Sequence, residues 1–552
     1  MSDILAAART WLAQDPDPVT REELSALLAR AETDDPGAVA DLEDRFGTRL
    51  EFGTAGLRGA LGAGPNRMNR VVVMRAAAGL GSWLGDGERH VVVGHDARYR
   101  SEDFAADTAA VLTGAGHRVS VLPGALPTPV LAFAVRELGA DAGVMVTASH
   151  NPPQDNGYKV YVGGAGDDAG TQIVSPADTE ISAAIDRVGA VGELPLGSEW
   201  TRLGPELLER YLAAVTALTP EGPREIDVTY TAMHGVGGRV LIAAMERAGF
   251  PRPTVVAEQF APDPDFPTVS FPNPEEPGAM DLALREGEAN GADVIVANDP
   301  DADRLAVAVP GHGMLTGDEI GGLLAEYVLD HTSGERAVAT TIVSSTLLGR
   351  IARAHGVHFD ETLTGFKWLA RAGGARRRVF SYEEALGYCI GGDGGRPVAD
   401  KDGIGAALVL LALAALARRD GRTLLDLLDA QAQRYGVHLT DQLSMRVADL
   451  SLLTGIMRRL RSDPPEAFGP FAVEDVDDFA AGHAELPPTD ALRFRLEGGG
   501  RVTLRPSGTE PKIKAYAEVV LEAADDVGST RARGVRMLAE VMSSVSGLVR
   551  GR

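Results

Sequence analysis

The chain of 552 residues holds a single cysteine, Cys389. An internal disulfide framework is thereby excluded, and a reducing compartment fits the composition. No stretch approaches the roughly 18 uncharged apolar residues of a membrane-spanning helix. The N-terminal "MSDILAAARTWLAQDPDPVTREEL" has early acids and no basic start, unlike a secretory signal. A cytoplasmic protein is expected. Positive charge is also short: 53 Lys and Arg face 78 Asp and Glu, for a net charge of -25. Nucleic acid and anionic membranes bind through basic patches, so neither is an expected partner. A small anionic substrate requires cations gathered locally. Lysine is scarcest of all. Of the 53 basic residues only Lys159, Lys367, Lys401, Lys512 and Lys514 are lysine, all in Gly/Pro-punctuated or loop-flanking stretches. Arginine dominates elsewhere, so these five mark places where a compact, titratable ammonium is wanted.

What is present is an alternation of short apolar strands and amphipathic helices. Residues 1–50 read as two or three short helices, with Thr20 as an N-cap. From Gly53 strands such as "HVVVGHD" and "AGVMVTA" alternate with helices, which implies βαβ units and largely parallel sheets. The pattern recurs after "LTPEGPR" and again after Gly311–Gly313, closing with a long helix from about Asp402 to Arg418. Beyond Tyr435 the strands "ALRFRLE", "GRVTLRP" and "IKAYAEVV" and a final helix suggest an α+β tail. The expected domains are a helical extension (1–50), three α/β units (51–217, 218–312 and 313–435) and an α+β unit (436–552).

Six stretches carry chemistry. In "TASHNPPQDNGYK" Ser149 follows an apolar strand in a proline-stiffened turn. Preceded by Thr147 and Ala148, it lacks the G-x-S-x-G elbow of an acyl-transfer serine. A phosphoserine is the alternative, carrying about -1.5 to -2 charge that needs cations around it. In "VIVANDPDADRLAVAV" Asp299, Asp301 and Asp303 alternate directly after a strand, where α/β sheets place ligands. Such hard oxygen donors suit Mg²⁺ or Ca²⁺. An EF-hand is excluded, because Arg304 and Pro310 stand where its loop needs Gly and Glu. In "LRPSGTEPKIKAY" hydroxyls, a glycine-exposed backbone and cations offer what a phosphate needs. Glu383 and Glu384 of "FSYEEALGY" could accept sugar hydroxyl hydrogens. "FGTAGLRGALG", with Gly53, Gly56, Arg58 and Gly59, is phosphate-friendly without matching a Walker or dinucleotide pattern. Lys367 of "TGFKWLA" is a proton-transfer candidate if burial lowers its pKa.

Jointly and in this order, these motifs resemble the α-D-phosphohexomutase superfamily of phosphoglucomutases and phosphomannomutases, over nearly the whole chain. "TASHNP" looks like its phosphoserine loop, "NDPDADR" its metal loop, "EEALGY" its sugar loop and "RPSGTEP" its phosphate loop. The resemblance implies three related α/β domains with mixed sheets and a smaller α+β C-terminal domain around a central cleft. It implies a phosphorylated Ser149 which, with Asp299, Asp301 and Asp303, binds Mg²⁺. Arg58 and Lys159 flank the phosphoserine, and His150 and Asn151 shape its loop. Arg304, Glu383 and Glu384 contact the sugar phosphate. Arg505, Ser507, Gly508, Thr509 and Lys514 hold its non-reacting phosphate. Lys159 or Lys367 is the base.

The expected reaction moves a phosphoryl group between the 1- and 6-positions of glucose or mannose phosphate, with a sugar 1,6-bisphosphate as activator. "LEFGTAGLRGALGAGPNRMN", "TGFKW" and "EEALGY" are most similar to the branch holding phosphopentomutases and glucose-1,6-bisphosphate synthases, which stay as alternatives. Where many members have Ser after the two acids, this chain has Ala385 and Leu386. The expected partners are sugar phosphates alone, in a monomer or homodimer. Lys401 has no role in this scheme.

Overall fold

The computed structural model describes residues 2–51, 56–446, 450–506, 512–523 and 526–550. They form two units, one of residues up to 314 with 387–415, the other of 315–386 with 416–552.

The first unit opens with three helices, Ser2–Gln14, Pro18–Ala31 and Pro36–Phe46. Thr20 is not the N-cap of the second. Pro18 at the first helical position has no N–H to satisfy and a φ already suited to the helix, so the helix begins there and Asp17 caps it, accepting from Val19 N at 3.0 Å. Thr20 instead donates to Asp15 at 2.7 Å. Trp11, Leu24, Leu28 and Leu42 from these helices join the core under the first sheet.

That sheet has the strands β1 (Leu57–Ala60), β2 (His90–His95), β3 (Arg118–Ala125), β4 (Ala142–Val146), β5 (Asp155–Val162) and β6 (Thr201–Arg202). Their order is β1-β5-β4-β2-β3-β6. β2 is parallel to β3 and β4, whereas β5 is antiparallel to both β4 and β1. The sheet is therefore mixed rather than largely parallel. The turn between β4 and β5 contains Ser149, too short a connection for a parallel crossover, so the second strand must run back.

The second sheet holds β7 (Val228–Thr231), β8 (Thr254–Val255), β9 (Val294–Ala297), β10 (Ala306–Val309) and β11 (Gly313–Met314), in the order β11-β10-β9-β7-β8. β7 is parallel to β8 and β9, and β10 returns antiparallel after the acidic turn. The same unit carries β15 (Gly387–Ile390) and residues 403–415 of the apolar helix Gly403–Arg419.

In the second unit β12 (Arg336–Thr341) lies parallel to β13 (His358–Thr362) and β14 (Arg377–Glu383). The tail is an antiparallel sheet ordered β16-β21-β20-β19-β18-β17. Its strands are β16 (Val437–Arg446), β17 (Ala467–Phe468), β18 (Phe471–Asp478), β19 (Leu492–Leu496), β20 (Arg501–Pro506) and β21 (Lys512–Leu521). The final helix, Val527–Arg550, packs Leu538, Val541, Val545 and Val549 onto it. This is the α/β class with a C-terminal antiparallel domain. Among the described residues no helix is long and apolar enough to cross a membrane.

Candidate active site

β4 is buried along its whole length, and its apolar run stops at Thr147, where the turn begins. Ser149 N donates to Thr147 Oγ1 at 2.9 Å, an ST-type turn. Ser149 has φ 51, the left-handed region that a residue with a Cβ rarely occupies. The turn thus delivers a side chain in a strained and buried pose, which is a common sign of a functional position. Ser149 Oγ donates to Asp299 Oδ2 at 2.9 Å. His150 Nδ1 lies 3.1 Å from the same Oγ. Burial, aided by the charges of Arg304 and Arg58, drives the His150 pKa well below its ordinary value, so the ring is neutral at pH 7.

Asp299, Asp301 and Asp303 follow β9, and one oxygen from each lies within 4.8 Å of the others. All three are buried. Burial and the two neighbouring carboxylates push Asp299 well above the usual carboxylate range. Burial acts the same way on Asp301, but Lys159 outweighs it and holds that group below its ordinary value. Lys159 Nζ, projecting from β5, donates to Asp301 Oδ2 at 2.8 Å and Asp303 Oδ2 at 3.3 Å. Burial lowers the Lys159 pKa and these two acids more than restore it, so the amine stays protonated. Thr128 donates to Asp301 Oδ2 at 2.7 Å.

Two oxygens, Asp301 Oδ1 and Asp303 Oδ1, are buried with no hydrogen-bond partner among the described residues. An unsatisfied buried carboxylate oxygen is costly. Three clustered carboxylates with such oxygens form the hard donor set of a divalent cation, and Mg²⁺ fits it.

Of the remaining first-unit candidates, Arg58 on β1 donates to Asn151 Oδ1 at 2.9 Å, and its buried Nε has no partner among the described residues. Asn151 in turn donates to Asp155 Oδ2 at 2.8 Å. Arg304 N donates to Asp299 Oδ1 at 3.1 Å, and its guanidinium lies 3.6 Å from Glu275.

Lys401, which had no role in the sequence reading, stands 3.3 Å from Asp303 Oδ2. Arg98 was missed as well; its guanidinium holds the serine turn. The "HDAR" that contains it offers only a buried strand end as a signal.

In the second unit Glu383 ends β14 and Glu384 follows it. Ser344 and Thr341 donate to Glu384 Oε2 at 3.1 and 3.3 Å. Burial, then the charges of Glu383 and Asp318, push Glu384 up to about 7. The Ser344 carbonyl accepts from Arg501, which is itself held by Glu361 at 2.7 Å and Glu518 at 3.3 Å. Leu386, the departure from the usual Ser, is buried at φ 64. Lys367 lies in a short buried helix, its Nζ 5.9 Å from the Trp368 ring centre. Arg505 and Lys514 are register partners on β20 and β21. Gly53, Ser507, Gly508 and Thr509 lie outside the described residues.

Four family models match in chain order. They are the phosphoglucomutase/phosphomannomutase alpha/beta/alpha domains I, II and III over residues 49–190, 209–313 and 316–435, and the C-terminal domain over 460–526. A Haemophilus influenzae protein named "Probable phosphomannomutase" is 45% identical over 460 residues, covering 82% of this chain and 93% of the relative. A Schizosaccharomyces pombe "Probable phosphoribomutase" is 35% identical, covering 92% of each. A crystal structure of a candidate phosphomannomutase from Thermus thermophilus superposes with a TM-score of 0.67 at 27% identity, over 89% of this chain and 99% of that one.

Proposed function

The chain belongs to the phosphoglucomutase/phosphomannomutase family and is an intramolecular phosphotransferase, and we propose that it interconverts the 1- and 6-phosphates of a hexose, glucose or mannose. The observation that supports this most is Ser149 Oγ seated on Asp299, with the other two buried acids and Lys159 beside it.

In this reading Ser149 is phosphorylated at rest. Its phosphoryl group passes to the free hydroxyl of a sugar monophosphate, leaving a bare serine hydroxyl and a sugar bisphosphate. The bisphosphate turns over, and its other phosphate returns to Ser149. Asp299, Asp301, Asp303 and the Ser149 phosphate hold Mg²⁺, which offsets charge on the transferring group when bound. Lys159 stays protonated between its two acids and, with Arg58, neutralises the phosphoryl oxygens. Because the ion pairs occupy Lys159, the reading favours Lys367 as the group that takes the hydroxyl proton. Glu383, Glu384 and Arg304 orient the sugar phosphate. Arg505, Ser507, Gly508, Thr509 and Lys514 hold the phosphate that is not reacting. A trace of sugar 1,6-bisphosphate keeps Ser149 charged. The relatives also support pentose phosphates as the substrate, and a bisphosphate synthase using the same serine.

Phosphorus NMR with Mg²⁺ and a trace of glucose 1,6-bisphosphate tests this. Glucose 1-phosphate, mannose 1-phosphate and ribose 1-phosphate are offered in competition. Fast conversion of a hexose phosphate supports the proposal, and conversion of ribose 1-phosphate alone replaces it with a phosphopentomutase. Accumulating bisphosphate that needs a second phosphoryl donor replaces it with the synthase.

A further inference from the structure

The serine turn is held from behind by one arginine. Arg98 follows β2, and its side chain is only 1% exposed. Its guanidinium spends its terminal nitrogens on main-chain carbonyls. Nη2 donates to Ser149 O at 2.6 Å and to Asn151 O, and Nη1 donates to Pro152 O at 2.8 Å and Asp155 O at 3.2 Å. Those four carbonyls span the turn from the serine to the first residue of β5. Nε points to Asp96, 3.6 Å away. Asp96 is itself fixed by Ser101 at 2.6 Å. The Phe266 ring covers the guanidinium, 4.9 Å from its centre.

Burial disfavours the charge on this guanidinium. A buried arginine is retained when its planar fork makes bonds that no other side chain could. Here the fork grips the carbonyl of a residue whose φ of 51 is otherwise disfavoured. The direction of the Ser149 side chain follows from that φ. We infer that Arg98 is a positioning residue for phosphoryl transfer: by gripping the carbonyls of the serine turn it holds Ser149 in its left-handed conformation and so aims Oγ at Asp299. Arg98 touches no reacting atom in this account. The inference rests on Ser149 being the phosphoryl carrier.

The test is single-turnover transfer of phosphate from glucose 1,6-bisphosphate to dephosphorylated Ser149, read by mass spectrometry and paired with steady-state kinetics. Arg98→Lys keeps the charge but has no planar fork. It is expected to slow transfer and kcat together by about 10²-fold, the cost of a misplaced reacting group, while KM for the sugar phosphate stays within about threefold. Arg98→Ala should regain transfer when millimolar guanidinium is added, which general loss of packing does not predict. If Arg98→Lys fails to fold, Asp96→Asn, which keeps an acceptor for Ser101 and for Arg98 N but removes the charge that faces Nε and aims the fork, should lower kcat several-fold at unchanged KM. Unchanged transfer in Arg98→Lys, or in Asp96→Asn where that variant stands in, overturns the inference. So does a KM increase with kcat preserved. Wild-type protein whose Ser149 never takes up phosphate overturns the mutase reading first, and the inference with it.

Discussion

Lys159 and Lys401 converge on one oxygen: each Nζ lies 3.3 Å from Asp303 Oδ2. One comes from a strand of the first sheet and the other from the segment before the helix Gly403–Arg419. Two ammonium groups on one carboxylate overcompensate it locally, and both repel a cation bound by the three acids.

Removing one of them should therefore tighten metal binding. Lys401→Met is expected to lower the Mg²⁺ dissociation constant about fivefold, the scale of one like charge at a few ångströms in a partly screened site. Calorimetric titration with Mg²⁺ checks this, and equal or weaker binding would refute it.

Ser149→Ala should abolish turnover and phosphate incorporation while the protein still folds, with a modest drop in melting temperature because Asp299 Oδ2 loses the hydroxyl that donates to it. Near-normal activity in this variant would end the phosphoserine model.

Asp301→Asn removes a charge from the buried cluster and weakens the anchor of Lys159. The Mg²⁺ concentration for half-maximal rate should rise and the rate at saturating metal should fall, each by at least about tenfold. Chelation with EDTA should stop the wild-type enzyme, and Mg²⁺ should restore it. A metal titration that does not move in the variant would remove the acidic turn as ligand.

Glu384 gives a pH signature. Its carboxyl is raised to about 7 by burial and then by Glu383 and Asp318, and in the role proposed for it must ionise to accept sugar hydroxyls fully. The wild-type kcat/KM should therefore climb as pH rises towards 7. Glu384→Gln should lose that limb and keep only the ionisation of the substrate phosphate. The sign for stability is the reverse. The folded pKa lies above the unfolded one, so the folded state keeps this proton longer, and the wild type loses stability relative to Glu384→Gln as pH rises from about 4.5 to 7. Parallel pH-rate profiles in the two proteins would reject the assignment.

Gly157 lies on β5 beside the serine turn. A Cβ there would sit 2.5 Å from Thr147 O and 2.8 Å from Leu57 O. Both are backbone atoms and cannot rotate away, so Gly157→Ala should destabilise the protein by about 1–3 kcal/mol. Activity should drop more than the folded fraction, because Thr147 anchors the turn. Thermal melts alongside specific activity test this, and a fully active, equally stable variant would contradict it.

Much of this site is readable from residue order, because its parts are local. Asp299, Asp301 and Asp303 alternate directly after an apolar strand, so their convergence needs only the turn that follows β9. Ser149 likewise stands out from the buried run of β4. The parts that escaped depend on distant segments or on main chain. Lys401 reaches Asp303 only through the fold, and nothing in "ADKDG" points there. Arg98 binds carbonyls, which every residue carries, so its targets leave no pattern of residue types. Ser344 and Thr341 read as ordinary strand-end hydroxyls until Glu384 is placed against them. The antiparallel return of β5 was legible in the shortness of the serine turn, yet the βαβ rhythm around it favoured parallel strands.

The scarcity of lysine now has an experimental consequence. Lys159, Lys367 and Lys401 are 3%, 9% and 8% exposed, while Lys512 and Lys514 are more open. An amine-directed acylating reagent therefore finds few targets besides the chain terminus, and each modified peptide can be assigned to one lysine or one close pair. Acylation of the more open Lys512–Lys514 pair on β21, and its loss when a sugar phosphate is added, becomes a direct chemical footprint of the phosphate contact proposed for Lys514.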